Sequence, residues 1–577
     1  MAKHFYSLVY FIAVLSLMSC KGVAKIKHHK WDVKYEFRSP DCCKKLVITI
    51  NGIFPGPTIK AEQGDTIIVE VTNNLFTENL AIHWHGIRQI GTPWYDGTNG
   101  VTQCPILPGD TFVYKFVVDR AGTFLYHSHY GMQRTQGLNG MIEVSLPLGQ
   151  SHPFSYDFDS SILLMDWYHK SASELAALIT STSHTMEDPQ SLLIEGRGSF
   201  DSPLAERALR SNMVMPSTSH ECSPFVLTVV SGKTYRLRIG SLTFVSSLNF
   251  EIEGHNMTII EADGHYVEPL EVQSLYIYSG ETYSVLVKAN QDPSRNYWVT
   301  SNTVGQMQGT PTGLAIFNYY PNPPNRNPPT TPSMGPMMVD SIAPRLAQSR
   351  AIKAREGFIQ HPPATSDRVI MLLITENMIN GYMKWAVNNV SLTLPNTPYL
   401  VALKNKKLRH KIHLIFDQNP PPNSYDWQNY DIYRPPPNVN ATSSNNIYRL
   451  ELNTTVDIIL QNANMMDPNR CETHPWHLHG HDFWVLSYGM GKFNPLIDPK
   501  KFNLDDPILK NTVPLHPYGW TAIRFRADNP GVWLCHCHID VDMALGMGIV
   551  FEEGIEKVGK LPSSIMGCGL TKGLITP

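Results

Sequence analysis

The stretch YGWTAIRFRADNPGVWLCHCH, residues 518–538, decides the fold. Its first half alternates between apolar and polar residues, a turn follows at ADNPG, and a second strand-like run ends at HCH. Two earlier stretches have the same layout: PGDTFVYKFVVDRAGTFLYHSH at 108–129 and SGETYSVLVKANQDPSRNYWVTSN at 279–302. This internal repetition predicts an all-β chain of three consecutive β-sandwich units.

The 577-residue length accommodates about three domains. The chain begins with Lys3, an apolar run over 5–18 and small residues near 23 and 24, a pattern typical of a secretory signal peptide. A buried helix or membrane anchor is the alternative, but the run is shorter than the roughly 20 residues that span a bilayer. We therefore predict a signal peptide (1–24), three units (25–150, 151–322 and 366–577) and a proline-rich surface linker (323–365).

The composition excludes several classes of protein. A net charge of -3, with 42% hydrophobic and 17% charged residues, is unlike that of a nucleic-acid-binding or disordered protein. No later segment is long and apolar enough to cross a membrane, so we expect a soluble extracellular protein. Secretion permits disulfides and also permits glycans at four sequons. These sequons begin at Asn256, Asn389, Asn440 and Asn453.

Histidines carry the strongest chemical signal. With 23 histidines, the pattern HxH is expected about once by chance, yet it occurs five times, at 83/85, 127/129, 477/479, 479/481 and 536/538. Side chains two apart on a strand leave the same face, so each pair directs two imidazoles at one point. A single pair is usually a surface or core feature, but the repeated pairs predict a metal cluster.

Cys537 indicates which metal the chain binds. In HCH its side chain points to the face opposite His536 and His538, so one strand bridges a thiolate site and an imidazole cluster. A thiolate with histidines and a weak axial methionine, for which Met547 is well placed, is an electron-transfer copper arrangement. Zinc would require a closed tetrahedral set or an open three-ligand site, and would leave other histidines unused.

Four motifs, HWHG (83–86), HSH (127–129), HPWHLHGH (474–481) and HCHI (536–539), resemble those of the multicopper oxidases throughout the chain. GTPWYDGT, ILQNANMM, ETHPWHLHGHDFWVL and FDQNPPPNSYDW resemble the ascorbate oxidases of plants more than the laccases. The resemblance implies three cupredoxin-like Greek-key domains, four coppers per chain and the following ligands. They are His83 and His477 for the type 2 copper, His85, His127, His129, His479, His536 and His538 for the type 3 pair, and His474, Cys537 and Met547 for the type 1 copper.

One type 1 position departs from the family pattern, because Asp542 stands where HCHI is normally followed by a ligand histidine. In a first reading the carboxylate binds copper and makes the site a poorer electron acceptor. In a second, the short side chain does not reach and the site is labile or empty. In a third, the segment DVDMAL is a local error or divergence.

The resemblance also implies roles for other residues. Trp167 and Trp385 resemble aromatic walls of the ascorbate site, although both also suit a sandwich core. Asp96 and Asp540 resemble carboxylates that relay protons to reduced oxygen, although an aspartate before glycine is also an ordinary turn residue. The implied disulfides are Cys42–Cys222 and Cys104–Cys568; Cys43, Cys471 and Cys535 are left over, and a local bridge between the last two is open.

We expect a secreted oxidase that takes single electrons from ascorbate, or a related enediol or phenol, and reduces O2 to water. Cys537 would carry the electrons. The rival expectation is a catalytically impaired copper-binding extracellular protein, which Asp542 favours and the eight cluster histidines oppose. Neither nucleic acid nor a membrane is an expected partner, and a homodimer is implied by resemblance alone.

Overall fold

The structure is a computed structural model that describes residues 24–180, 187–199, 223–305, 309–336, 342–437 and 440–573. The expected signal peptide falls almost wholly outside these residues. Strands dominate the described chain and form six sheets, arranged as three pairs along the sequence.

The first unit has two four-stranded sheets, in the orders β2-β1-β4-β6 and β3-β8-β7-β5. Its strands are β1 (Ile26–Arg38), β2 (Lys45–Ile50), β3 (Ile59–Glu62), β4 (Thr66–Asn73), β5 (Ile82–His83), β6 (Thr111–Val117), β7 (Gly122–Ser128) and β8 (Asn139–Ser145). In β6 exposed and buried residues alternate, as its sequence pattern predicts.

The second unit has a six-stranded sheet, β10-β9-β12-β17-β14-β15, and a five-stranded sheet, β11-β19-β18-β13-β16. The strands are β9 (Phe158–Trp167), β10 (Ser191–Ile194), β11 (Phe225–Val229), β12 (Thr234–Ser241), β13 (Ser247–Ile252), β14 (Met257–Ala262), β15 (His265–Val272), β16 (Ser274–Ile277), β17 (Thr282–Lys288), β18 (Tyr297–Val304) and β19 (Gly313–Tyr319).

The third unit has an eight-stranded sheet, β23-β22-β21-β20-β25-β30-β27-β28, and a five-stranded sheet, β24-β32-β31-β26-β29. The strands are β20 (Arg368–Ile379), β21 (Tyr382–Val387), β22 (Val390–Leu392), β23 (Thr442–Ser444), β24 (Tyr448–Leu450), β25 (Thr455–Gln461), β26 (His474–Leu478), β27 (Phe483–Met490), β28 (Leu509–Lys510), β29 (Thr512–Leu515), β30 (Gly519–Arg526), β31 (Gly531–Cys537) and β32 (Gly548–Glu553).

The same connection recurs in all three units. A parallel pair (β1 with β4, β9 with β12, β20 with β25) is followed by an antiparallel neighbour, which is β6, β17 or β30. The chain then crosses to the other sheet as β7, β18 or β31. The three repeated stretches are these crossings, so the predicted all-β fold of three sandwiches is confirmed.

Helices are short: α1 (Ala172–Ile179), α2 (Ile342–Ala351), α3 (Tyr399–Lys404) and α4 (Asp540–Ala544). Helix α2 lies in the segment expected to be a surface linker, yet Arg345, Leu346 and Gln348 on it are buried. Gln348 bonds the backbone of Tyr276 in the second unit, and Arg350 donates to the carbonyl of Tyr488 in the third. The helix thus joins two units. Among the described residues, no helix has the length and apolar character needed to cross a membrane.

Candidate metal centre

Within the first unit and within the third, strand pairing sets the histidines of two HxH motifs opposite each other. Pairing of β5 with β7 sets His83 opposite His127, and pairing of β26 with β31 sets His477 opposite His536. Each HxH motif lies at the end of one of these strands. The backbone register within each unit therefore positions that unit's histidines of the cluster.

The imidazoles converge between the two units. Nε2 of His83 lies 3.3 Å from Nε2 of His477, and Nε2 of His127 lies 3.1 Å from Nε2 of His538. The ligand atoms fall into three groups, each with all its atoms within 4.8 Å of one another. The groups are His83/His477/His479, His85/His127/His538 and His129/His479/His536.

The tautomers of two facing pairs show that the cluster suits a cation. Nδ1 of His83 and of His477 each donate to a backbone carbonyl, at 2.8 Å. Nδ1 of His536 donates to a carbonyl at 2.8 Å, and Nδ1 of His479 to a carboxylate at 2.9 Å. A neutral ring that donates from Nδ1 has a lone pair on Nε2. Lone pairs thus face each other across 3.3 Å in the first pair and 3.1 Å in the second. A metal ion between them satisfies both nitrogens.

Burial keeps seven histidine rings of the cluster neutral. It lowers the pKa of His129 to about 3, and it holds the pKa values of six other cluster histidines well below the ordinary value. Those six are His85, His127, His477, His479, His536 and His538. In the described part of the chain, Nδ1 of His85 and Nε2 of His129 are buried without a hydrogen-bond partner, as expected for nitrogens that coordinate a metal ion.

Asp96 contacts two rings of the cluster. Its Oδ2 accepts from Nδ1 of His479 at 2.9 Å and from the Thr98 hydroxyl at 2.6 Å, while Oδ1 lies 3.3 Å from Nδ1 of His83. The residue is fully buried. The turn that its WYDG sequence predicts does exist, and it directs the carboxylate at the cluster.

Arg134 is a residue of this site that the sequence did not indicate. Its buried guanidinium donates to Nδ1 of His538 at 2.9 Å, to the His538 carbonyl at 2.7 Å and to Asp540 at 2.8 Å. Burial raises the pKa of Asp540 to about 6, against the opposing effect of Arg134. Arg134 follows HSH by five residues without any motif of its own, and 404 residues separate it from His538.

Cys537 contacts a different set of residues from its two histidine neighbours. Its sulfur lies 3.9 Å from Nδ1 of His474 and 3.2 Å from Oδ2 of Asp542. His474, Cys537 and Asp542 form a buried group with ligand atoms within 4.8 Å of one another. Met547 is fully buried, and its carbonyl accepts from the Cys537 amide at 3.1 Å. Burial, with the Asp542 carboxylate, raises the pKa of the Cys537 thiol.

The short helix α4 brings Asp542 to this group. Oδ2 of Asp542 lies 2.8 Å from Nδ1 of His474, and the side chain is only 8% exposed. The carboxylate therefore reaches both neighbouring ligands, which favours the reading in which Asp542 joins the ligand set over the reading in which it falls short.

A cavity of about 980 Å³ lies beside the Cys537 group and is lined by Asp542 and Trp385 among others. The Trp385 ring stands edge-on to His474, with 4.9 Å between centroids. Trp167, by contrast, is fully buried at the end of β9, against Phe54 and beneath the Lys45 ammonium. Of the two tryptophans, the structure brings only Trp385 to the cavity.

Cys104 and Cys568 form a disulfide, as the resemblance implied, and it ties the first unit to the C-terminal segment. Cys222 lies outside the described residues, so its pairing with Cys42 stays a prediction. Cys471 and Cys535 are both buried and are not bonded to each other; the Cys471 sulfur instead contacts the Ala463 carbonyl at 3.2 Å.

Comparison with known proteins agrees with this geometry. Models of the multicopper oxidase family match residues 32–148, 158–322 and 416–557. The chain is 49% identical to an L-ascorbate oxidase of Cucumis sativus, over 96% of this chain and 93% of that protein. It is 48% identical to an L-ascorbate oxidase of Nicotiana tabacum, with 97% and 96% covered. A laccase of Oryza sativa subsp. japonica is 32% identical, with 97% and 96% covered.

Solved structures give the same result. The laccase from Botrytis aclada superposes with a TM-score of 0.73 at 29% identity, covering 94% of this chain and 90% of that chain. The multicopper oxidase Fet3p superposes with a TM-score of 0.73 at 26% identity, covering 94% of each chain.

Proposed function

Because the chain belongs to the multicopper oxidase family, we propose that it oxidises ascorbate beside Cys537 and reduces O2 at the histidine cluster. It is a copper-dependent oxidoreductase with O2 as electron acceptor. Four one-electron oxidations of ascorbate supply four electrons, which together with four protons convert one O2 into two waters. A related enediol or phenol would donate electrons in the same way.

The connection between the two metal-capable groups carries this proposal. Cys537 belongs to the His474/Cys537/Asp542 group, and its sequence neighbours His536 and His538 belong to two of the histidine groups. Three consecutive residues therefore link the place where a reductant delivers an electron to the place where oxygen would be reduced. When bound, copper supplies the one-electron redox states that this relay needs.

We assign the ligands by combining this geometry with the family motifs. Both type 3 sets match one geometric group each, the type 2 set is a group from which the motif assigns His479 to the type 3 pair, and the place of Met547 is carried over from the motif. His83 and His477 would hold the type 2 copper. The type 3 pair would be held by His85, His127 and His538 on one side and by His129, His479 and His536 on the other. The type 1 copper would be held by His474, Cys537 and Met547, with Asp542 in the place of the usual histidine.

Asp96 and Asp540 are the proposed proton carriers. Oδ1 of Asp96 is buried and makes no hydrogen bond within the described structure, so it offers an acceptor for a proton beside His83 and His479. Asp540 is held by Arg134 against His538. A proton held on Asp96 is therefore adjacent to two cluster rings, whereas a proton held on Asp540 is separated from the His538 ring by Arg134.

A second candidate function follows from Asp542. A carboxylate is a harder ligand than imidazole and favours the oxidised metal, so electron entry would slow while the histidine cluster stayed intact. The protein would then be an impaired oxidase that holds copper outside the cell.

We also propose that the protein is secreted. The N-terminal segment has the signal-peptide pattern, and the Cys104–Cys568 disulfide suits an oxidising compartment. The asparagines of all four sequons are exposed, so each is accessible to glycosylation. Homodimerisation remains a proposal from family resemblance alone.

Three measurements on the purified protein distinguish the two candidate functions: copper per chain, the blue thiolate-to-copper absorption, and oxygen uptake with ascorbate. Four coppers with uptake support the ascorbate oxidase. Four coppers with little or no uptake, or three coppers without the blue band and without uptake, support the impaired copper-binding protein. Absence of bound copper after metal loading would contradict both.

A further inference from the structure

The cavity beside the Cys537 group contains a positive charge that has no negative partner. Arg345 of helix α2 lines this cavity with Trp385 and Asp542, and it is 7% exposed. Its Nη1 donates to the Thr473 hydroxyl at 3.0 Å, and its Nε makes no hydrogen bond to any described residue. No carboxylate oxygen in the described chain lies within ion-pairing distance of the guanidinium. Arg345 therefore has a buried N–H donor without an acceptor and a buried positive charge without a negative partner.

The groups around Arg345 do not compensate its charge. Burial, reinforced by Arg345, lowers the pKa of His516 to about 3, and burial raises the pKa of the Tyr278 phenol. Both neighbours are therefore neutral at neutral pH. Buried arginines in proteins are normally paired, because an isolated charge removed from water is costly. Arg470, which lines the same cavity and is only partly buried, is nevertheless paired with Glu472 at 2.7 Å.

Arg345 also lies close to the proposed point of electron entry. Its partner Thr473 directly precedes His474, the histidine that Trp385 contacts. A small molecule bound to the guanidinium therefore lies beside the group that would accept its electron. Trp385 lines the same cavity, which therefore combines an aromatic side chain with a positive charge, a combination that suits a planar anionic ring.

The other charges of the cavity favour one orientation of such a ligand. Glu376 lines the cavity, and its pKa is raised by burial. The charge of Glu472 is offset by Arg470, and Asp542 belongs to the metal-capable group. Asp188 also lines the cavity. An anion is repelled by these acidic residues and attracted to Arg345, so its charged end would be directed at the guanidinium.

We infer that Arg345 is a substrate-binding residue that makes the cavity selective for reductants carrying a negative charge. This inference rests on the proposed function and defines its substrate class as anionic enediols, of which ascorbate, a monoanion at neutral pH, is one. The planar guanidinium provides the unpartnered Nε–H and an adjacent N–H, which can hold an ionised oxygen with two parallel hydrogen bonds.

The kinetic test compares ascorbate with hydroquinone, which is neutral at the same pH. For Arg345→Gln, the ratio of kcat/KM for ascorbate to kcat/KM for hydroquinone should fall roughly 10- to 100-fold, the range for losing a charged hydrogen bond. Arg345→Lys keeps the positive charge but lacks the two parallel N–H donors of the guanidinium, so its ratio should fall by less. Arg350→Gln removes a charge from the same helix, but Arg350 donates to the Tyr488 carbonyl and does not line the cavity; it should keep the wild-type ratio.

A binding measurement separates this inference from the proposed function. Equilibrium dialysis of ascorbate against the fully reduced holoenzyme under argon reports affinity without turnover, and Arg345→Gln should raise Kd roughly 10-fold or more. If the wild type consumes no O2 with either reductant, the proposed function fails, and dialysis still decides the role of Arg345. The inference is overturned, and the proposed function is kept, if the wild type oxidises ascorbate while Arg345→Gln has an unchanged ratio of kcat/KM values and an unchanged Kd.

Discussion

Replacing Asp542 by histidine should make the Cys537 site a better electron acceptor. The substitution removes a negative charge whose oxygen lies 3.2 Å from the Cys537 sulfur and 2.8 Å from Nδ1 of His474. At an effective dielectric constant of about 20, a unit charge at 3.2 Å contributes roughly 5 kcal/mol. A negative charge favours the oxidised site, so its removal favours the reduced one.

This energy converts into a measurable reduction potential. For a one-electron couple 59 mV corresponds to a tenfold change in the equilibrium, so roughly 5 kcal/mol corresponds to about 200 mV. Asp542 borders the cavity, where solvent screens part of its charge. We therefore expect Asp542→His to raise the potential by about 100 to 200 mV and to increase both the blue absorption and the rate of ascorbate oxidation.

Protein-film voltammetry of the copper-loaded variants measures the potential directly. Asp542→Asn is the matched control, because it keeps the size of the side chain and removes only the charge. It should reproduce most of the shift without the gain in blue absorption that a histidine ligand provides. A shift below about 30 mV in both variants would refute the reasoning, because it would mean that the carboxylate does not act on this site.

Three further perturbations test other parts of the structure. Asp96→Asn keeps an acceptor for His479 but cannot carry a proton, so oxygen consumption by the pre-reduced enzyme should slow about 100-fold at unchanged copper content. Cys568→Ser should lower the free energy of unfolding by about 2 to 4 kcal/mol, measured by chemical denaturation, and a reducing agent should destabilise the variant less than it destabilises the wild type. Asp482→Asn leaves Arg120 without its carboxylate, 2.9 Å away, and should cost about 3 kcal/mol or more. Burial raises the pKa of Asp482, but Arg120 and the other basic neighbours lower it by more, so the net shift is downward. The stability that this carboxylate contributes is therefore present above about pH 4 and is lost as the pH falls through the depressed pKa. Thermal unfolding measured across acidic pH should show this loss in the wild type and not in the variant.

Much of the site was predictable because its geometry is local to single strands. Alternation alone places Cys537 opposite His536 and His538, and the structure has these three residues in separate groups. The repeated strand, turn and strand likewise predicted three sandwiches. The alternation and the repeat are short-range properties, so they can be predicted from neighbouring residues without knowledge of the tertiary fold.

Contacts between distant parts of the chain were not predictable in this way. Arg134 bonds a residue 404 positions away, and Arg345 bonds one 128 positions away. Neither arginine belongs to a periodic pattern or a motif. The position of Trp167 depends on the packing of β9 against Phe54 and Lys45 of the first unit, and the reach of Asp542 depends on the helical turn α4. Packing of whole units against one another decides these placements.

Asp542 and Arg345 both line the cavity, and their charges have linked consequences there. The motif resemblance predicts a neutral histidine at position 542, so under the proposed function the Asp542 carboxylate would repel an anionic reductant and would lower the acceptor strength of the site. Arg345 contributes an uncompensated positive charge to the same cavity, so it offsets the repulsion at the binding step but leaves the electron-transfer step slow. If the proposed function holds, we expect affinity for anionic reductants to be preserved and turnover to be reduced, with the effect of Asp542 in kcat and the effect of Arg345 in KM.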